Sequence, residues 1–550
     1  MKLLSSKGLK GDFKDCQSPS LVDFNKAGSA AGHNTPVSRE IERSVVAGEL
    51  LYNAEVYGSL RKGGAVRFFS KDCVGLVAAT FATTFAIESL TCAIEPMLTV
   101  NFGLKTRELA ASKRLTTFPM TLCFFFWFTL DSYPILGLRR LGYLLIGLGT
   151  TVVSLLVLAA LDGYVESLVD DTAKSGLAVA IILFATLAST GNALAYVCVH
   201  TRVMELSQRE PLGMRGAIQA NYLAFQYGVY ILTDACATII FSFTTHHYTA
   251  LLLFALVIAA SIPLIWKSWQ EKCYSLSTPV YARAQIMWKI MQQKAAWSIM
   301  AFLCIFTFFT DIKFNGPAVV ISVWAGASAD NAFLQQVMYY GTMLVVVVLW
   351  RYYFMNRPWR SFYSMAIVLL VIPQMVVAIC VTKDILRNRY FYRLMTVFTS
   401  ASISINLLSN MVPLTEILQE GSEGAMVGLI VSVHSLVCTF VQTNTAGLFD
   451  GSNFYNIAEV AMDTPNARSD VLHAMLLNYG INTLAFFGIL FLPRQKLYTQ
   501  QLRSYGGYTK CTSAAIVAFA VILFVYSLTV TALTLIPSTS CMPIAGGQGC

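Results

Sequence analysis

The sequence predicts an all-α polytopic membrane protein, and three observations carry that prediction. Apolar residues make up 56% of the 550-residue chain and charged residues only 13%, with a mean hydropathy of +0.59. A water-soluble chain of this size keeps about a quarter of its residues charged. The apolar residues gather in long runs such as Cys73–Val100, Tyr143–Leu161, Leu177–Val199 and Ala514–Leu535. Roughly 20 such residues cross ~30 Å of hydrocarbon as a helix, the form that satisfies its own backbone N–H and C=O groups. The lysines and arginines fall mainly between the runs, as loop charges do.

Taken in order, residues 1–72 are polar, lack the apolar core of a signal peptide and read as a mostly disordered tail. Thirteen spans follow: 73–100, 115–131, 142–161, 176–199, 216–242, 248–266, 295–323, 332–350, 362–381, 394–413, 425–448, 471–492 and 513–536. The basic segment 267–294 has no long apolar run and divides the first twelve spans six and six. The expected organisation is a cytoplasmic tail (1–72), a six-helix bundle (73–266), a cytoplasmic linker (267–294), a second six-helix bundle (295–492), and a basic loop, thirteenth helix and outside tail (493–550). Lys and Arg number 21 in the flanks on the tail's side and 10 on the other side. That bias places the N-terminus in the cytoplasm.

Thirteen cysteines form no Cys-x-x-Cys pair and six histidines no cluster, so no metal or redox cofactor is expected. Cys541 and Cys550 of the outside tail either pair with each other or stay free. The net charge of +9 belongs to topology and anionic lipid rather than to nucleic acid. No nucleophile–base set or metal motif points to an enzyme.

Ionisable groups inside spans are costly and usually face the bundle interior or a water-filled path. Glu88 and Glu95 share one face of the first span, seven residues apart. Each is either a substrate- or proton-binding carboxylate or a structural hydrogen-bonding group, and Glu95 already nears the outer surface. Asp234 stands in the fifth span. Asp311, Lys313 and Asn315 precede Gly316-Pro317 in the seventh, where a backbone break exposes polar groups that can bind solute or simply kink the helix. Asn406/Asn410 and Asn478/Asn482, each four apart, lie on single stripes and read first as packing glue.

The most specific local pattern follows the second span: Asp131, Pro134, Gly137, then Arg139-Arg140 and Tyr143. An acid at one helix end and twin arginines at the next helix start suit a charge clamp that holds in one conformation and releases in another.

This D-x-x-P-I-x-G-x-R-R-x-x-Y segment resembles the loop between helices 2 and 3 of the folate–biopterin transporter family of the major facilitator superfamily, notably its protist branch. Three further segments agree. Glu205-Leu-Ser-Gln-Arg209-Glu-Pro211 with Arg215-Gly216 and Gln219 resembles that family's loop after helix 4. Pro413-Leu-Thr-Glu416 with Glu420-Gly421 and Glu423-Gly424 resembles the loop after helix 10. Leu492-Pro-Arg-Gln-Lys496 with Gly506-Gly507 resembles the end of helix 12. The matches run in order from about Pro96 to Gly507.

The resemblance implies two six-helix bundles around a central cavity, working by alternating access, to which the thirteenth span adds an extra C-terminal helix. It implies folate- or pterin-like organic anions as substrates, coupled to protons, in the plasma membrane. Asp131, Arg139, Arg140, Glu205 and Arg209 would then gate, while Glu88, His200, Asp234, Asp311 and Lys313 would face the cavity. Two positions depart from the family: Cys123 stands where its second helix carries a lysine, and His200 stands near the end of the fourth helix where it carries an acid. Histidine titrates near neutrality and can replace the acid as a proton-linked group. The rivals are a transporter of a different organic solute and a non-transporting receptor or scaffold.

Overall fold

With no water to satisfy backbone polar groups in hydrocarbon, the apolar runs can cross only as helices, and helices account for the fold. The structure is a computed structural model that describes residues 58–103, 106–135, 137–166, 171–244, 246–271, 279–327, 332–445, 448–449, 457–535, 539 and 542. Five helices and one broken pair build the first bundle: α1 (Val74–Val100), α2 (Thr106–Thr121), α3 (Cys123–Leu130), α4 (Leu141–Glu166), α5 (Asp171–Ser207), α6 (Ala217–Phe243) and α7 (His247–Ser268), with α2 and α3 as the pair. After α8 (Val280–Gln292) the second bundle comprises α9 (Lys294–Thr310), α10 (Asn315–Trp324), α11 (Ala332–Leu349), α12 (Trp359–Thr382), α13 (Arg389–Ile417), α14 (Glu423–Thr445), the short α15 (Ile457–Ala461), α16 (Pro465–Thr483) and α17 (Ala485–Phe491). The amphipathic α18 (Lys496–Tyr505) and the long α19 (Lys510–Leu535) close the described chain.

Among the described residues, eleven helices are long and apolar enough to cross a membrane, and twelve crossings result if α9 and α10, bent by 48°, count as one. The second predicted span folds as α2 and α3, of 16 and 8 residues, neither long enough alone. Several helices outrun their predicted spans: α5 begins before 176 and ends after 199, and α13 runs past 394–413 at both ends. Hydropathy marks only the part of a helix in hydrocarbon, and polar turns continue it beyond.

Within the first bundle, α1 packs on α5, α6 and α7, and α4 packs on α5 and α7. Gly147 and Gly191 let α4 and α5 touch backbone to backbone: a Cβ on Gly147 would lie 2.5 Å from the Gly191 carbonyl. Such small-residue contacts replace the missing hydrophobic drive between helices in lipid. In the second bundle α13 packs on α11 and α12, and α9 on α14 and α17. The bundles meet along two seams, α6 against α11 and α3 against α14. The thirteenth span, α19, lies on α14, α2 and α9, with Phe524 against Phe125 and Tyr526 against Phe440.

The expectation of a tail without fixed structure up to residue 72 is corrected for its last stretch. From Gly58 the chain lies across the face where α1 begins; Leu60 and Arg61 both donate to the Gln208 carbonyl, and Phe68 is buried against Tyr222 and Phe225. A buried aromatic and backbone pairing outweigh the polar composition that suggested disorder. Residues 1–57, Cys541 and Cys550 lie outside the described residues.

Candidate functional site

All the predicted clamp residues gather on the face where α1 begins, together with partners that link the two bundles. Glu205, at the end of α5, pairs with Arg140, with Arg202 at 3.0 Å and with Arg61 at 3.3 Å. Arg61 also pairs with Glu423 of α14, so it ties both bundles at once. Against burial, which works to lower it, Glu205 and Glu271 hold the Arg140 guanidinium well above its ordinary range. Asp131 accepts from the Ala425 N–H at 2.9 Å, which places a carboxylate at the N-terminus of α14, where the helix dipole favours negative charge. Glu271 does the same for α4, accepting from the N–H groups of Arg139, Arg140 and Leu141. The Arg209 guanidinium packs against the backbone at Gly63.

A second lock lies beside the first. Arg215 meets Glu416 through two contacts of 3.0 and 2.7 Å, and Gln500 adds a bond of 2.9 Å to the same carboxylate. Gln208 donates to the Thr415 and Leu418 carbonyls at 3.0 Å, and Gln219 to the Thr415 hydroxyl at 2.5 Å. The Lys496 ammonium donates to the Arg215 carbonyl at 2.7 Å, and burial lowers its pKa to about 8. Glu210 holds the start of α6 through the Gly216 and Ile218 N–H groups, and burial pushes its carboxyl up to about 7. On this face the two bundles are tied together by buried ion pairs and hydrogen bonds.

Deeper in the bundle, the structure brings Glu88 and Asp234 together from α1 and α6, both buried. Their carboxylates and the Cys92 thiol lie within 4.8 Å of one another, a set of potential metal ligands that the spacing of cysteines and histidines does not reveal. Cys92 donates to Asp234 at 3.2 Å, and Tyr340 of α11 donates to Glu88 at 3.1 Å across the seam between bundles. The Tyr340 ring stacks on Tyr230, again one residue from each bundle. The thiol and the phenol each donate to one of the two carboxylates, so the acids, Cys92 and Tyr340 form one polar cluster across the seam.

Asp311 and Lys313 sit at the break between α9 and α10, apart from that pair. The break is satisfied by the asparagine stripe: Asn478 accepts from the Phe314 N–H at 2.8 Å, and Asn482 donates to the Phe309 and Ile312 carbonyls at 2.6 and 3.1 Å. Asp311 lies in electrostatic reach of His434 and Cys438, and His434 is within 3.4 Å of the Thr307 hydroxyl. His200 is buried beside the rings of Tyr196 and Tyr222, and its Nδ1 has no hydrogen-bond partner among the described residues. The structure does not bring His200 to the acid pair.

On the face opposite the lock, a cavity of about 540 Å³ opens between the bundles. Its walls come from α1, α2 and α5 on one side and from Asn315 of α10 and Thr439, Gln442 and Thr443 of α14 on the other. Glu95 lies in this wall, with Lys113 at 2.6 Å.

Arg61, Glu271, Glu423 and Tyr340 were not singled out from the sequence, because each acts through a partner far along the chain. Glu423-Gly424 did stand in the resembling segment after the tenth span, which was the available signal.

No known family model matches the sequence, and no curated protein sequence matches it. Solved structures do. The chain is similar to the proton:xylose symporter XylE of the major facilitator superfamily, bound to 6-bromo-6-deoxy-D-glucose (13% identity, TM-score 0.54, covering 80% of this chain and 98% of that one). It is similar to a D-xylose–proton symporter (16%, 0.55, 79% and 99%) and to a bacterial homologue of the iron transporter ferroportin in its outward-facing state (12%, 0.53, 77% and 99%). At these identities the likeness is one of fold, and the fold is that of the major facilitator superfamily: two six-helix bundles, here with a thirteenth helix alongside.

Proposed function

We propose that the chain is a secondary active transporter of a small organic solute, working by alternating access and coupled to protons. The observation that carries this reading is the Glu88–Asp234 pair, buried in one bundle and hydrogen-bonded to Tyr340 of the other. A proton arriving or leaving there alters a contact that joins the bundles, so protonation and the bundle arrangement are linked. The lock on one face and the cavity on the other fit one end of the transport cycle. The charge bias assigns the locked face to the cytoplasm, so the cavity opens outward, in the plasma membrane. The resemblance of four loop segments supplies the substrate class, folate- or pterin-like compounds, and the basic segment 267–294, without a long apolar run, supplies the division between the two bundles.

The test is uptake of labelled folate and biopterin into cells carrying the chain at their surface, with and without a protonophore. Wild type is expected to accumulate substrate until the protonophore is added. Asp234→Asn is expected to lose accumulation yet keep exchange of labelled for unlabelled substrate. Exchange and accumulation falling together, or accumulation insensitive to the protonophore, would refute the coupling role.

A further inference from the structure

We propose that Lys113 and Arg114 of α2 form an anion subsite at the mouth of the cavity, and that Glu95 is a built-in stand-in for the carboxylate of the substrate. The inference rests on the transport reading above and names which part of the substrate the site reads.

Among the described residues lining the cavity, the ionisable ones are Glu95, Lys113 and Arg114, two cations against one anion. The rest of the wall is aliphatic or carries hydroxyls and amides, such as Ser112, Thr116, Ser189 and Gln442, and no aromatic ring lines it. Lys113 Nζ lies 2.6 Å from Glu95 Oε2, while the two side chains stay 59% and 40% exposed. An ion pair this open to water contributes little to stability, so an incoming carboxylate can replace Glu95 at small cost. Arg114 stands next to it, within electrostatic reach of the Tyr526 hydroxyl on α19.

The location is as informative as the charge. Glu95 is seven residues beyond Glu88 on the same helix face, which at 1.5 Å per residue is roughly 10 Å toward the open side. The stacked Tyr230 and Tyr340 rings lie at the Glu88 level. Those rings and Glu88 lie outside the cavity wall, so the subsite reads the carboxylate of an organic acid that enters from the open side. Folate carries carboxylates that can meet such a subsite, whereas biopterin carries none.

The experiment measures binding of folate and biopterin to purified wild type, Lys113→Gln and Glu95→Gln, by ligand-induced thermal stabilisation. Lys113→Gln is expected to weaken folate about twofold to fivefold, the worth of an ion pair this open to water. Glu95→Gln removes the internal competitor and is expected to tighten folate several-fold. Biopterin should change less than about twofold in either variant, since no charge on it meets the subsite. Equal losses for both ligands, or no effect of Glu95→Gln on folate, would overturn the proposal. Wild type binding neither ligand refutes the folate and pterin reading instead. The subsite is then tested with a panel of aliphatic and aromatic mono- and dicarboxylates, and it falls if none shows the opposite responses of the two variants.

Discussion

Glu416→Gln should spring the lock between the bundles. Arg215 and Glu416 are each only 1% exposed, in contact at 3.0 and 2.7 Å, and they belong to different bundles. Removing one charge of a buried pair costs about 3–5 kcal/mol, because the other charge is left without its partner. Glutamine keeps one acceptor, so the lower end, about 3 kcal/mol, is the expected cost. Opening the lock gives Arg215 to water, so the cost falls on the closed state alone. At about 1.4 kcal/mol per tenfold, the closed-to-open ratio drops roughly a hundredfold. The assay is alkylation of a cysteine introduced at buried Met411, one helical turn from Thr415, by a membrane-impermeant reagent added on the locked side. Labelling should quicken by about that factor. Adding Arg215→Gln should slow it again, since the orphan charge is gone. Unchanged labelling in correctly inserted Glu416→Gln would refute the idea that this pair bears on opening.

Gly424→Ala should loosen the neighbouring lock without touching a charge. A Cβ there would lie 2.7 Å from Asp131 Oδ1 and 2.8 Å from a Trp127 ring carbon, and overpacking of that kind costs about 1–3 kcal/mol. The same labelling assay should rise about tenfold, and an unaltered rate would show that α14 yields without opening the lock. Glu210→Gln should flatten the dependence of stability on pH. Burial raises this carboxyl from its ordinary 4.5 to about 7, so its contribution is complete below the lower value and is lost as pH rises through the upper one. That difference corresponds to about 3 kcal/mol at 1.4 kcal/mol per pH unit. Melting curves of purified protein across that window should fall more steeply for wild type than for Glu210→Gln; parallel curves would refute the assignment.

Much of the architecture was legible in the chain because hydrocarbon imposes a one-dimensional rule. A run of apolar residues long enough to cross must be a helix, and each of the thirteen predicted spans corresponds to a helix or a broken pair. The break before Gly316-Pro317 and the asparagine stripe were both visible, but not that they meet. Asn478 lies 164 residues from Phe314, whose N–H it accepts. The twin arginines were visible as a clamp, whereas Arg61 was assigned to a disordered tail, since composition cannot register the pairing of one residue with Glu205 and Glu423.

The sequence by itself determined the solvent the chain lives in, the order of its apolar helices, and which loops carry charge. These follow from local hydropathy and need no partner. Only the tertiary structure decided that Glu88 meets Asp234 and Tyr340, that His200 stands apart from them, and that Glu95 faces Lys113. The reason is physical: a buried ionisable group takes its role from the charges and donors within a few ångströms, and helix packing supplies those neighbours from segments far apart in the chain.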